Sequence, residues 1–295
     1  MTGGGSLWDL AGRDHSYGWS IAYSHDLDEH LFASLVYLNE GHVPGHHRDG
    51  HAAQLWMRGA LAFPQLIVAA GIGPYRFFDT EVAEGSSQVP FRNAHGWAAL
   101  YSVAATWREP GSSVSYRLRV DHIETQGGAP DTTLAMVGVA MRLDQDPTFG
   151  RGRAHRRDEI VALAGRTIVN SYESESAWAR SIEYRHAFGS TLRGSVGWID
   201  EGDARLVRRN GVVLEAWLEP TFHEDRYTIG MGAGTYVAVD DYRGTGNKHR
   251  ALGIISVTTS YHFAQGWVAR LIWHRISSNY DRDSDIILLG VGYRG

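Results

Sequence analysis

A chain of 295 residues with a formal net charge of −5 and a pI near 6.3 argues against a dedicated nucleic-acid binder, which would carry a clustered basic face. The absence of cysteine excludes disulfides and thiolate metal sites, and no apolar run is long enough to form a transmembrane helix. With 35 Gly, 14 Tyr and 10 Trp but a mean hydropathy of −0.28, the composition points to an all-β chain whose residues alternate in environment.

In chain order, the first strand is expected to be an abbreviated one at LWDLAGR (7–13), after a Met-Thr-Gly-Gly-Gly-Ser start that is expected to stand in place of an export signal. Apolar-alternating segments follow over 52–80 and 96–143, joined by DLDE, EGHVPGHHRDG, AFPQ, TEVAEGSSQVPFRNAHG, EPGSS and TQGGAPD. Residues 145–157 (QDPTFGRGRAHRR) connect two halves. In the second half, strands are predicted at 158–170, 177–188, 190–200, 212–223, 227–239, 251–263, 267–277 and 285–294. The halves, 1–144 and 158–295, answer each other segment by segment, which reads as duplication of a whole sheet-forming unit.

Along each predicted strand one face is apolar and aromatic, the other small, polar or charged. That period fits a soluble sandwich as well as a membrane barrel. Long polar links alternating with tight ones favour the barrel, since outer-membrane barrels place long loops on one rim and short turns on the other. The expected fold is therefore all-β, an antiparallel up-and-down transmembrane barrel of about sixteen strands from two halves, with two eight-stranded barrels as the alternative. Glu183, Arg185, Arg193, Glu215, Glu219 and Arg270 fall on the inner face. In a wide barrel they would line water; in a narrow one they would form a buried ion-pair network. Trp97, Trp107, Trp178, Trp198, Trp267 and Trp273 lie near strand ends, as an interfacial girdle would.

Three other groups stand out. The stretch 39–51 holds His42, His46, His47 and His51, a density of imidazole that could bind a divalent metal. Asp79, Asn93 and His95 could join it across the next link. Its counterpart EGDARLVRRNG has instead Arg205, Arg208 and Arg209, which could pair with lipopolysaccharide phosphates. Asp281, Asp283 and Asp285 alternate as in an acidic Ca²⁺ loop, without its Gly and distal Glu.

The block YTIGMGAGTYVAVDDYRG, followed by GIISVTTSYHFAQGWVARLIWHRISSNYDRDSDIILLGVGYRG, resembles the last four strands of lipid A deacylase-type barrels. That resemblance implies an outer-membrane acyl hydrolase with a Ser/His/Glu site near the outer leaflet. Carried onto this chain, it points to His274 with Ser277 or Ser278. His274 and Ser277 are three apart and point to opposite faces of a regular strand; His274 and Ser278 share a face two pleats apart. A bulge would be needed to join either pair, and no glutamate lies on 285–294. The motif is degenerate, so the expected function is a non-catalytic outer-membrane pore or surface binding scaffold. The alternatives are a lipid A-modifying acyl hydrolase and a soluble β-barrel or sandwich binding protein. Expected partners are outer-membrane lipid and lipopolysaccharide. No cofactor is expected beyond the metal of 39–51.

Overall fold

The computed structural model describes residues 1–9, 14–61, 63–82, 91–142, 158–171, 175–223, 225–241 and 248–295, and contains no helix among them. The inter-half segment 145–157 lies outside the described residues. The chain divides into two compact units, Met1–Arg142 and Leu143–Gly295. The first unit is built from β1 (Thr2–Trp8), β2 (His15–Asp26), β3 (Leu31–Val43), β4 (His46–Ala60), β5 (Leu66–Val82), β6 (Phe91–Arg108), β7 (Val114–Thr125) and β8 (Thr132–Met141). The second is built from β9 (Asp158–Val169), β10 (Ser176–Ala187), β11 (Leu192–Asp200), β12 (Arg209–Leu218), the two-residue β13 (Thr221–Phe222), β14 (Tyr227–Asp240), β15 (Lys248–His262), β16 (Trp267–Ser277) and β17 (Ser284–Arg294).

All pairings are antiparallel, and each unit closes on itself. In the first, Gly4 of β1 pairs with Gly18 on one side and Met136 of β8 on the other. In the second, Gly165 of β9 pairs with Ala179 and with Leu288 of β17, while β12 joins β14 directly. The expected all-β antiparallel barrel is present, but the single ring of about sixteen strands is corrected to two rings of eight. Alternation is the same for either closure, so the strands alone did not distinguish them. A further correction concerns the first strand: β1 is Thr2–Trp8, Gly3 to Gly5 included, where strand was expected only from residue 7, and residues 10–13 of that expectation lie outside the described residues. Gly4 is required there by close approach: a Cβ would fall 2.0 Å from the Ala135 carbonyl oxygen, and at Gly165 1.9 Å from that of Ile287. Gly165→Ala is expected to lower the stability of the full chain by about 1–3 kcal/mol. Gly59→Ala, at a position open to space, serves as its control in urea titrations in detergent.

Strand β10 shows the rule that the sequence obeys. Ala177, Ala179, Glu183 and Arg185 turn inward and are buried, while Trp178, Ile182 and Tyr184 turn outward and are exposed. Eight strands make an interior just wide enough for side chains to fill. Tyr75, Phe77, Leu100 and Leu134 occupy the middle of the first barrel, and Val161, Ile199, Tyr236 and Ile254 that of the second. The outer surfaces carry Leu55, Ile72, Val103, Leu118 and Val137 on one barrel, and Ile182, Leu214, Leu271, Leu289 and Val291 on the other, all exposed. Trp97, Trp107, Trp178, Trp198 and Trp267 are exposed on these surfaces, whereas Trp273 is half-buried and hydrogen-bonded to Asp285. One rim of each barrel has tight turns. At 27–30, for example, Asp28 Oδ1 accepts from the His30 and Leu31 amides at 2.6 Å, and those bonds hold its carboxyl below the usual range.

Candidate functional site in the barrel interiors

The histidine-rich stretch is the tip of a hairpin, not an open loop. β3 runs to Val43, Pro44 and Gly45 make the turn, and β4 begins at His46. A bulge between Asn39 and Gly41 lets Glu40 turn inward as an extra residue. Gly41 sits at φ +98°, and its amide donates to Asn39 Oδ1 at 3.1 Å. Glu40 then takes both Nε (2.8 Å) and Nη2 (2.6 Å) of Arg48, whose remaining donors reach the Pro130 carbonyl and Thr132 Oγ1. The second barrel repeats this at Glu201 and Arg209, 161 positions on in both cases. Gly202 has φ +78° and donates to Asp200 Oδ1 at 3.0 Å. Arg209 donates to Glu201 at 2.7 and 2.9 Å, to the Arg282 carbonyl and to Ser284 Oγ. Tyr280 adds a hydroxyl between Arg209 (3.2 Å) and Asp240 (2.7 Å), and burial pushes its phenol up to about 12.

Below this clamp the two interiors differ in charge. In the first barrel Arg119 chelates Asp121 at 2.7 and 2.8 Å and reaches Gln54 at 3.0 Å. Gln54 donates to Ser102, which donates to Asp121. In the second barrel Glu215 and His274 converge on the Ser256 hydroxyl, at 2.5 and 2.6 Å. Nearer the turn rim, Glu159, Glu183 and Glu219 face Arg185, Arg193 and Arg270. Arg270 bridges Glu183 (2.6 Å) and Glu159 (2.5 Å), and Arg185 bridges Glu183 (2.8 Å) and Glu219 (2.5 Å). His262 joins at Glu159, and Arg193 lies 3.5 Å from both Glu159 and Glu219. Three carboxylates thus offset three guanidinium groups, all six side chains buried, with Arg185 stacked 3.9 Å over the Trp217 ring.

All six inner-face residues expected from sequence therefore point inward, and all six are buried in contact with one another or with neighbouring side chains rather than lining open water. Glu40, Arg48, Glu159, Glu201, Ser256 and His262 were missed. The signal for three of them was present, because Glu-Gly and Arg-Asp/Asn-Gly recur at the same spacing in both halves. They were read as surface links because the bulge that turns the glutamate inward is invisible to a strict two-residue period.

The residues of the degenerate hydrolase motif do not meet. β16 pairs without a bulge, so His274 faces inward while Ser277 lies on the opposite face. Ser278 is tied by its amide and hydroxyl to Asp283 Oδ1, at 2.7 and 3.0 Å. The partner of His274 is instead Ser256, beside a cavity of about 10 Å³ lined by Glu183, Ser195 and Glu215 among others, room for roughly one water. The four hairpin histidines are divided: His46 lies half-buried against Asp79, and the His42 and His47 rings stack at 3.7 Å as a cross-strand pair. His51 packs beside Tyr37 and Phe78. Arg205 and Arg208 are exposed, but Arg209 is corrected out of any lipid-phosphate role, since its guanidinium is fully buried on Glu201. The acidic loop is likewise dispersed, with Asp283 on Ser278 and Asp285 on Arg275.

No protein-family model and no curated protein matches this chain. Among solved structures it is similar to the NanC porin at 11% identity and TM-score 0.23, over 99% of this chain and 98% of that one. It is also similar to a TodX monoaromatic hydrocarbon channel mutant, at 8% identity, TM-score 0.25 and coverage of 99% and 87%. A third is the outer membrane channel DcaP of Acinetobacter baumannii, at 8%, 0.21, 100% and 95%. Scores this low carry no weight for the fold, which the strand pairings already establish, or for function.

Proposed function

We propose that the chain is a bacterial outer-membrane protein of pore-like barrel fold that acts as a non-catalytic surface scaffold. The observation that carries this reading is the inverted distribution of polarity in both barrels. The outward faces are dominated by exposed Leu, Ile, Val and aromatic side chains, and networks of buried charged residues lie inside. A soluble sandwich of this period would bury its apolar face and hydrate the polar one. An apolar belt with aromatic residues near its edges is the arrangement that lipid requires. The filled interiors favour a scaffold over an open channel, because Trp56, Trp217 and the arginine–carboxylate networks occupy the lumen of each ring. The matched clamps Glu40–Arg48 and Glu201–Arg209 support origin of the two barrels by internal duplication.

In this reading the chain's partners are outer-membrane lipid and lipopolysaccharide, with Arg205 and Arg208 offered to lipid phosphates at the loop rim of the second barrel. An acyl hydrolase would need an ester to reach His274, whose adjoining cavity holds about one water. The test is reconstitution of the full chain: flotation with liposomes, then planar-bilayer recording. The expected result is flotation without steady openings. Recovery in the liposome-free fraction would sink the membrane assignment, and steady ohmic openings would replace the scaffold by a pore.

A further inference from the structure

The first barrel carries a residue constellation that the scaffold reading does not use. His46, Asp79 and Glu81 bring one ligand atom each within 4.8 Å of one another, and among the described residues no other group of His, Asp and Glu does so. The backbone explains the convergence. His46, the first residue of β4, pairs directly with Glu81 on β5, and Asp79 precedes Glu81 by one full pleat on the same face. His46 Nδ1 lies 2.9 Å from Asp79 Oδ2. The Asp79 side chain is fully buried, yet its second oxygen, Oδ1, has no hydrogen-bond partner. A buried carboxylate oxygen left without a partner costs free energy unless something absent from the polypeptide satisfies it. Arg48, the nearest buried cation along the register, is already committed to Glu40, Pro130 and Thr132.

We propose that His46, Asp79 and Glu81 form a divalent transition-metal site at the loop end of the first barrel. One imidazole with two carboxylates suits a borderline ion such as Zn²⁺ better than Ca²⁺ or Mg²⁺, which take oxygen ligands throughout. His46 keeps about a fifth of its side chain open to solvent, so the ion has a path of entry and retains coordination positions for water. The second barrel serves as an internal comparison. At the place of His46 stands Val207, and Asp240, at the place of Asp79, accepts the Tyr280 hydroxyl at 2.7 Å. Asp240 also keeps one unpaired oxygen, but among the described residues no group of three with an imidazole forms there. Among the described residues the cluster thus occurs in the first half, and the stacked His42–His47 pair on the hairpin is separate from it.

Calorimetric titration of the folded full chain in detergent with Zn²⁺ tests this, alongside Co²⁺ absorption spectra. The expected result is one equivalent bound, with affinity at least tenfold lower in His46→Val and Asp79→Asn and unchanged in the double variant His42→Ala/His47→Ala. His46→Val introduces the residue that the second barrel already carries, so it keeps the test decidable if the buried Asp79 variant fails to fold. Absence of binding by the wild type, or binding that survives His46→Val, overturns the proposal. Loss of binding in the His42/His47 double variant would transfer the ion to the outer pair and overturn it equally.

Discussion

Replacing Arg270 with methionine is expected to destabilise the second barrel by about 3–5 kcal/mol, because it strands buried carboxylates without their counter-charge. Arg270 holds Glu159 and Glu183 and also donates to Ser260 at 2.9 Å, and it is fully buried. The size of the effect comes from the environment. In a hydrated lumen the same ion pairs would be screened and the substitution would cost under about 1 kcal/mol. Urea titration of the full chain in detergent, followed by tryptophan fluorescence, measures the difference. The double variant Arg270→Met/Glu159→Gln should recover part of the loss, since removing both charges relieves the desolvated carboxylate. A small effect in the single variant, with no recovery in the double, would mean that the network is wet, and would return the pore to first place.

Leu289→Arg is expected to cost about 2–4 kcal/mol when the barrel is embedded in a bilayer, the penalty for arginine near the membrane midplane. Leu289 lies at the centre of β17 and is 66% exposed on the outer face. At such an exposed position on a soluble barrel the same change would be neutral within about 0.5 kcal/mol. Folding yield into lipid vesicles, with Arg180→Leu as a second variant at an outward position that already carries a charge, separates the cases. An unchanged yield for Leu289→Arg would remove the lipid-facing belt from the account.

Much of this molecule was written in its sequence. The two-residue alternation in strands such as β10, β14 and β16 set which side chains face in, and it did so for all six charged residues assigned to the interior. Local polarity fixes that choice, because a one-residue slip would exchange every side chain between the two faces. The tight links were legible from Asp, Gly and Pro, whereas the long link expected at 40–50 is a two-residue turn with strand on both sides. The motif His274–Ser277 was legible too, as a mismatch of parity that an unbroken β16 maintains.

What the sequence by itself determined was therefore the strands, their faces and the correspondence of the two halves; only the tertiary structure decided how many rings they close and which residues meet. Closure depends on the partner of β1, and β8 or a more distant strand would satisfy the same alternation. The pairing of Gly4 with Met136 and of Gly165 with Leu288 settles it by long-range contact. The interior partners follow from closure, since ring size sets whether Arg270 meets water or Glu159. The Glu40–Arg48 clamp and the His46–Asp79–Glu81 cluster depend on a single extra residue at a bulge and on strand register, and neither leaves a periodic trace in the chain.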